Sequence, residues 1–141
     1  MRPSPITRVF LAVVLLLGAS ACRRATDPDP LVGTYLATTF QVTPSGQGML
    51  NVLALGGTLG LNIANNYVTS GTLIVPASVN GGSTFTASLA GTAARTGSSV
   101  RFTQSADTFV RDLTFTLTEN RLEAVDQVVG GTRYNIILTR Q

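Results

Sequence analysis

Apolar and polar residues alternate with a period of two along most of this chain. The clearest case is Leu113, Phe115 and Leu117, separated by Thr114 and Thr116. Phe85, Ala87 and Leu89 alternate with Thr86 and Ser88, and Leu59, Leu61 and Ile63 with Gly60 and Asn62. Val100 and Phe102 flank Arg101, Leu122 and Ala124 flank Glu123, and Tyr134, Ile136 and Leu138 run toward the C-terminus. Successive side chains of a strand point to opposite faces, so each run has one apolar and one polar face, as a sheet with one buried face requires. Between the runs lie Asn65-Asn66, Asn80-Gly81-Gly82, Thr96-Gly97-Ser98, Glu119-Asn120 and Gly130-Gly131. Asn and Gly accept the positive φ that hairpin turns need. The pattern predicts about eight strands, over 33–43, 56–64, 67–75, 83–94, 98–104, 110–118, 121–128 and 132–140. With short connections between neighbours, the expected fold is all-β, a single antiparallel up-and-down barrel; closure would remove exposed edges. A two-sheet β-sandwich is the alternative. The run Met49 to Leu55 fits either a helical turn or an extended strand.

The alternation begins only after residue 30, and the chain before it has a different character. Arg2 and Arg8 are followed by the apolar run Val9 to Leu17, and then by Gly18, Ala19, Ser20 and Ala21 directly before Cys22, the one cysteine. This is the order of an export signal, with a helix expected over the apolar run. The run is shorter than the roughly 20 apolar residues of a membrane-spanning helix. Its end resembles the lipobox of bacterial lipoproteins, with Ala19 where that family prefers Leu. The resemblance implies cleavage before Cys22, acylation of its thiol and attachment to a membrane. Arg23 stands where an Asp retains enterobacterial lipoproteins in the inner membrane, which by the same resemblance implies the outer membrane, facing the periplasm. Ala19-Ser20-Ala21 also fits an ordinary secretory cleavage site, which would leave Cys22 a lone exported thiol. The expected organisation is a signal peptide over 1–21, the acylated Cys22 with a tether broken by Pro28 and Pro30 over 22–30, and a barrel domain over 31–141.

Charge changes little once the leader is set aside. Loss of Arg2 and Arg8 takes the formal charge from +3 to +1. No long basic run remains, so nucleic acid is not an expected partner. Every basic residue is Arg, and His is absent. Without His, and with Cys22 acylated, the commonest metal ligands and the commonest general base are missing, so no metal, no cofactor and no enzymatic activity is expected. The carboxylates Asp107, Asp112, Glu119, Glu123 and Asp126 show no spacing that suggests a glycosidase pair.

Gly33-Thr34-Tyr35 opens the first strand, and Leu138-Thr139-Arg140 ends the last. The domain here resembles a lipocalin-like barrel, whose first strand opens Gly-x-Trp or Gly-x-Tyr and whose last strand carries an arginine that packs across that aromatic. The resemblance implies that Tyr35 and Arg140 close one barrel end, and that an apolar ligand binds inside. Counting back by two from Leu113 puts Arg111 on the apolar face, and Asp126 shares phase with Leu122 and Ala124. A buried guanidinium needs a partner. Two readings stand: Arg111 receives a ligand carboxylate at the mouth, or it forms a rim salt bridge with Asp126 or Asp112. Gln104 and Tyr134 are candidates for hydrogen bonds to the same ligand. Phe102 and Phe115, with Phe85, Leu113 and Leu117, face the interior either as ligand lining or as filled core. The functional expectation is an envelope module that binds a small apolar or amphipathic molecule such as a lipid. The alternative is a filled barrel that binds another envelope component.

Overall fold

The computed structural model describes residues 28–141; the expected signal helix and Cys22 lie outside the described residues. Ten strands form one antiparallel sheet. They are β1 (Gly33–Pro44), β2 (Leu50–Asn51), β3 (Thr58–Ile63), β4 (Val68–Val75), β5 (Phe85–Ser88), β6 (Gly91–Thr96), β7 (Ser99–Gln104), β8 (Phe115–Thr118), β9 (Arg121–Val129) and β10 (Thr132–Arg140). Two single helical turns, α1 (Ala77–Asn80) and α2 (Phe109–Asp112), interrupt the series.

The sheet closes on itself. β1 pairs with β3 on one side, with Tyr35 opposite Leu61, and with β10 on the other, with Tyr35 opposite Arg140. From β3 the circuit runs through β4, the pair β5 and β6, then β7, β8, β9 and β10. β5 and β6 both pair with β4 and are halves of one broken strand; the short β2 pairs only with the far end of β1. The result is an eight-stranded antiparallel barrel of up-and-down order, consistent with a lipocalin-like barrel, and the sandwich alternative falls away because a sandwich keeps open edges.

Glycine permits the tightest part of the wall. A Cβ on Gly91 would stand 1.9 Å from the carbonyl oxygen of Thr103 on β7, and one on Gly71 would stand 2.1 Å from that of Gly60 on β3. Only a residue without a side chain lets these backbones approach so closely.

The alternating apolar residues face inward. Tyr35, Phe40, Leu61, Ile63, Leu73, Phe115, Leu122, Ile136 and Leu138 are fully buried, and they belong to one continuous cluster that fills the interior. One end is sealed by the chain entering it. Leu31 is fully buried there, and the Tyr35 hydroxyl lies 3.0 Å from the carbonyl oxygens of Pro30 and Leu31. Asp29 pins the entry: its carboxylate accepts from the Leu31 N–H at 2.9 Å, from the Tyr67 hydroxyl and from Arg95 at 3.3 Å. The opposite end, at Pro44, Val75, Phe85, Gln104 and Thr132, is covered in part by α1 and α2.

Two expectations are corrected. The strand predicted over 110–118 begins only at Phe115, because residues 109–112 form α2. Asp126 does not continue the inward phase of Leu122 and Ala124: it has a φ of 58° at a break in the β9–β10 register, is exposed, and pairs with Arg133. A bulge adds one residue to a strand and so inverts the facing of those after it.

Candidate functional site

The partly covered end holds an open pocket of about 320 Å³. Its wall comes from five places in the sequence. β1 gives Phe40, Val42 and Pro44; the end of β4 and α1 give Val75, Val79 and Asn80; Phe85 opens β5; and Thr132 and Tyr134 come from β10. The β7–α2 connection supplies Asp107 and Thr108, and α2 opens with Phe109. Three rings form its aromatic side. Phe109 stacks on Tyr134 with centroids 4.5 Å apart and planes 21° apart, and its other neighbour is Phe40 at 5.8 Å. Offset stacking of this kind holds α2 over the mouth, because α2 otherwise buries only Val110. Tyr134 is half-buried, and burial pushes its phenol above the ordinary tyrosine value, with a hydrogen bond to Thr132 partly offsetting this. The phenol is therefore neutral and able to donate at physiological pH.

Gln104 is not part of this wall; it lines a separate surface pocket with Arg101, Arg111 and Asp112 and touches the mouth only through Thr108. It is 6% exposed, at the inward-facing end of β7. Its Oε1 accepts a hydrogen bond of 3.0 Å from the hydroxyl of Thr108, which is itself buried and part of the pocket wall. Its Nε2 is buried without a hydrogen-bond partner among the described residues.

The remaining candidates are placed differently. Phe102 and Phe115 are buried and meet edge-on with centroids 5.4 Å apart, in the packed interior and away from the pocket. Arg111 does not point inward. In a strand it would share the face of Leu113; in the helical turn α2 it turns out to the rim, 2.5 Å from Asp107 and 3.7 Å from Asp112. Asp126, offered as its partner, is taken by Arg133. Tyr35 and Arg140 face each other at the sealed end, and the Arg140 side chain runs over Gly33, where an added Cβ would stand 2.7 Å from Nε.

Sequence reasoning passed over Phe40 and Thr108, and set Phe109 on the apolar face without giving it a part in a site. The alternation of Phe40 with Val42 was a usable signal. Phe109 does fall on the apolar face when counted back by twos from Leu113, but its place over the mouth depends on a helical turn of only four residues. Among the described residues, no group of three or more His, Cys, Asp and Glu is placed to hold a metal ion, and no helix is long and apolar enough to cross a membrane. Comparison with protein-family models, curated proteins and solved structures finds no match.

Proposed function

We propose that this protein is a lipid-anchored envelope module that binds a small apolar or amphipathic molecule at the mouth of its barrel. The observation that carries this is the pocket of about 320 Å³ with Phe40, Phe85, Phe109 and Tyr134 in its wall. Ligand pockets run from about 300 Å³ upward, a cavity of about 150 Å³ already takes benzene, and the lining here is polar and apolar in about equal parts, which suits an amphipathic molecule. The mouth thus suits a molecule of about two fused rings or a short chain. With the axis of the barrel filled by side chains, the ligand sits at the rim, unlike the deep interior ligand that the lipocalin resemblance implies. Anchoring rests on the lipobox-like sequence before Cys22, and the protein acts by binding and not as a catalyst.

Native mass spectrometry of the protein, gently extracted from its own membranes, tests the proposal. A copurified small molecule that is lost in Phe109→Ala is the expected result. No bound molecule, together with no saturable uptake of a naphthalene-sized fluorescent probe, would sink it. Membrane attachment is read separately, from release of Cys22→Ala into the soluble fraction.

The filled interior favours a second reading, a platform that binds another envelope component. A groove of about 450 Å³ on the outer face of β1, β3 and β4, lined by Leu36, Ala37, Leu53 and Gly60 among others, is a surface for it. Crosslinking in intact cells from Leu36 discriminates: this reading requires a discrete adduct.

A further inference from the structure

We propose that the charge-free side of the barrel is a self-association surface, on which a second copy of this chain docks about a two-fold axis. The inference is independent of the mouth pocket and gives the outer groove one occupant. From Pro30 to Ala94 the sequence holds no Asp, Glu, Lys or Arg, and every charged residue after Asp29 lies between Arg95 and Arg140. Up-and-down order turns that stretch of sequence into one sector of surface, because β1, β3, β4 and β5 are neighbours in the wall. Arg95 on β6 borders the sector on one side, and Arg133 and Arg140 on β10 border it on the other. Of the large apolar side chains exposed among the described residues, Leu36, Met49, Leu55, Tyr67 and Val68 belong to this stretch, and only Val125 and Val128 fall outside it. An uncharged, partly apolar centre inside a charged margin is the anatomy of a protein interface.

The outward face is built to match itself. Register aligns Leu36, Gly60, Thr72 and Ser88 in one row across four strands, and Thr34, Asn62 and Ser70 in the next. Hydroxyls and the Asn amide both donate and accept, so each can pair with its own kind on a second copy, as a row of like charges cannot. Gly60 has no side chain, which leaves the groove of about 450 Å³, and Leu36 stands beside it, 47% exposed. A knob and a hollow side by side on one face are what an isologous contact needs. A two-fold axis along the strands between β1 and β3 sets Leu36 of each copy over Gly60 of the other, with the two sheets packed in the aligned manner. Four strands spaced about 4.8 Å apart and about 20 Å long project to about 400 Å². Accessible area exceeds projected area, so the pair buries about 1,000–1,200 Å² in total, at the lower end for specific interfaces. A highly charged partner fits less well, since it would lose hydration against a face with no charge to offset the loss.

Sedimentation velocity on the whole mature chain tests the surface, with Cys22→Ser so that neither a lipid nor a disulfide can join two copies. A reversible monomer–dimer equilibrium with a Kd of about 10–100 µM is expected, in keeping with the small area. Because no charge lies in the contact, the Kd should change by less than about twofold between about 50 and 500 mM salt, whereas a contact through the charged side would weaken steeply. Leu36→Arg meets a like charge across the axis and should weaken association at least about tenfold. Thr72→Arg, also exposed on this face, should do the same and serves if Leu36→Arg does not fold. Thr116→Arg, exposed on β8 in the charged half, should leave the Kd within about twofold. Mixing Leu36→Arg with Leu36→Asp should restore association as a heterodimer. A chain that stays monomeric up to about 0.5 mM overturns the proposal, as does a dimer that is salt-sensitive or survives both arginine substitutions. A monomeric chain that still gives a discrete adduct with a different protein from Leu36 in cells also overturns the second copy, and returns the groove to another envelope component. None of these outcomes bears on the mouth pocket, which is read separately by its bound molecule.

Discussion

Truncating Phe115 to alanine asks whether the barrel is solid. Phe115 is fully buried and its ring meets Phe102 edge-on at 5.4 Å. A buried aromatic side chain removes about 150–250 Å² from water. At about 25 cal/mol per Å², and allowing for the methyl that alanine keeps, the lost transfer energy is about 3–4 kcal/mol. The edge-to-face contact adds about 0.5–1.5 kcal/mol. Partial collapse of the cavity recovers some of this, so the expected cost is about 3–5 kcal/mol, within the range for such truncations. For a domain of about 110 residues that lowers the melting temperature by about 12–20 °C. Thermal and urea unfolding of the mature chain, followed by circular dichroism, measure it, and a double-mutant cycle with Phe102→Ala isolates the pair term. A loss below about 1.5 kcal/mol would refute the argument, because it would mean that the ring borders open space.

Gly91→Ala should prevent folding, since its Cβ would meet the Thr103 carbonyl oxygen at 1.9 Å, whereas Gly46→Ala, with φ +74° but open space around it, should cost only about 1–2 kcal/mol; comparable losses in the two would refute the close-approach argument. Asp29 is held below its ordinary value of 3.8, first by the Tyr67 hydroxyl and then by the Leu31 N–H, with Arg95 adding to the effect. A lowered carboxylate pKa contributes stability that is present above pH 3.8 and lost as pH falls through the lower folded value, so acid unfolding of the wild type should show a component below pH 3.8 that Asp29→Asn lacks. Arg111→Ala should change stability by less than about 1 kcal/mol, because its ion pairs are exposed, and leave probe binding at the mouth intact; a large loss of binding would return Arg111 to the site.

The barrel was legible because a strand buried on one face writes its own period. Leu59, Leu61 and Ile63 needed no tertiary information to be placed inward, and Glu119-Asn120 and Gly130-Gly131 sit between the strands they were expected to join. Legibility failed where the period changes without a strong local signal. Phe109 to Asp112 form one turn of helix, too short for a 3.6-residue pattern to show, so counting by twos from Leu113 put Arg111 on the wrong face. The bulge at Asp126 has the same effect on β9, since a single residue with positive φ and no glycine to announce it inverts the phase. The pocket lay beyond reach for a related reason: Phe40, Val79, Phe109 and Tyr134 come from four separate segments. Gln104 could be chosen as an inward polar residue, but that half of its amide is unpaired depends on Thr108 and is visible only in three dimensions.

The pinning of Asp29 also gives the molecule a polarity along its axis. The chain enters at the sealed end, and the pocket opens at the other. Six residues lie between Cys22 and Asp29, seven Cα-to-Cα steps that reach at most about 25 Å when fully extended. With a lipid on Cys22, the barrel would stand foot-down on its membrane with the mouth pointing into solution. If the mouth binds a ligand as proposed, that ligand would then arrive from the aqueous side and not from the bilayer.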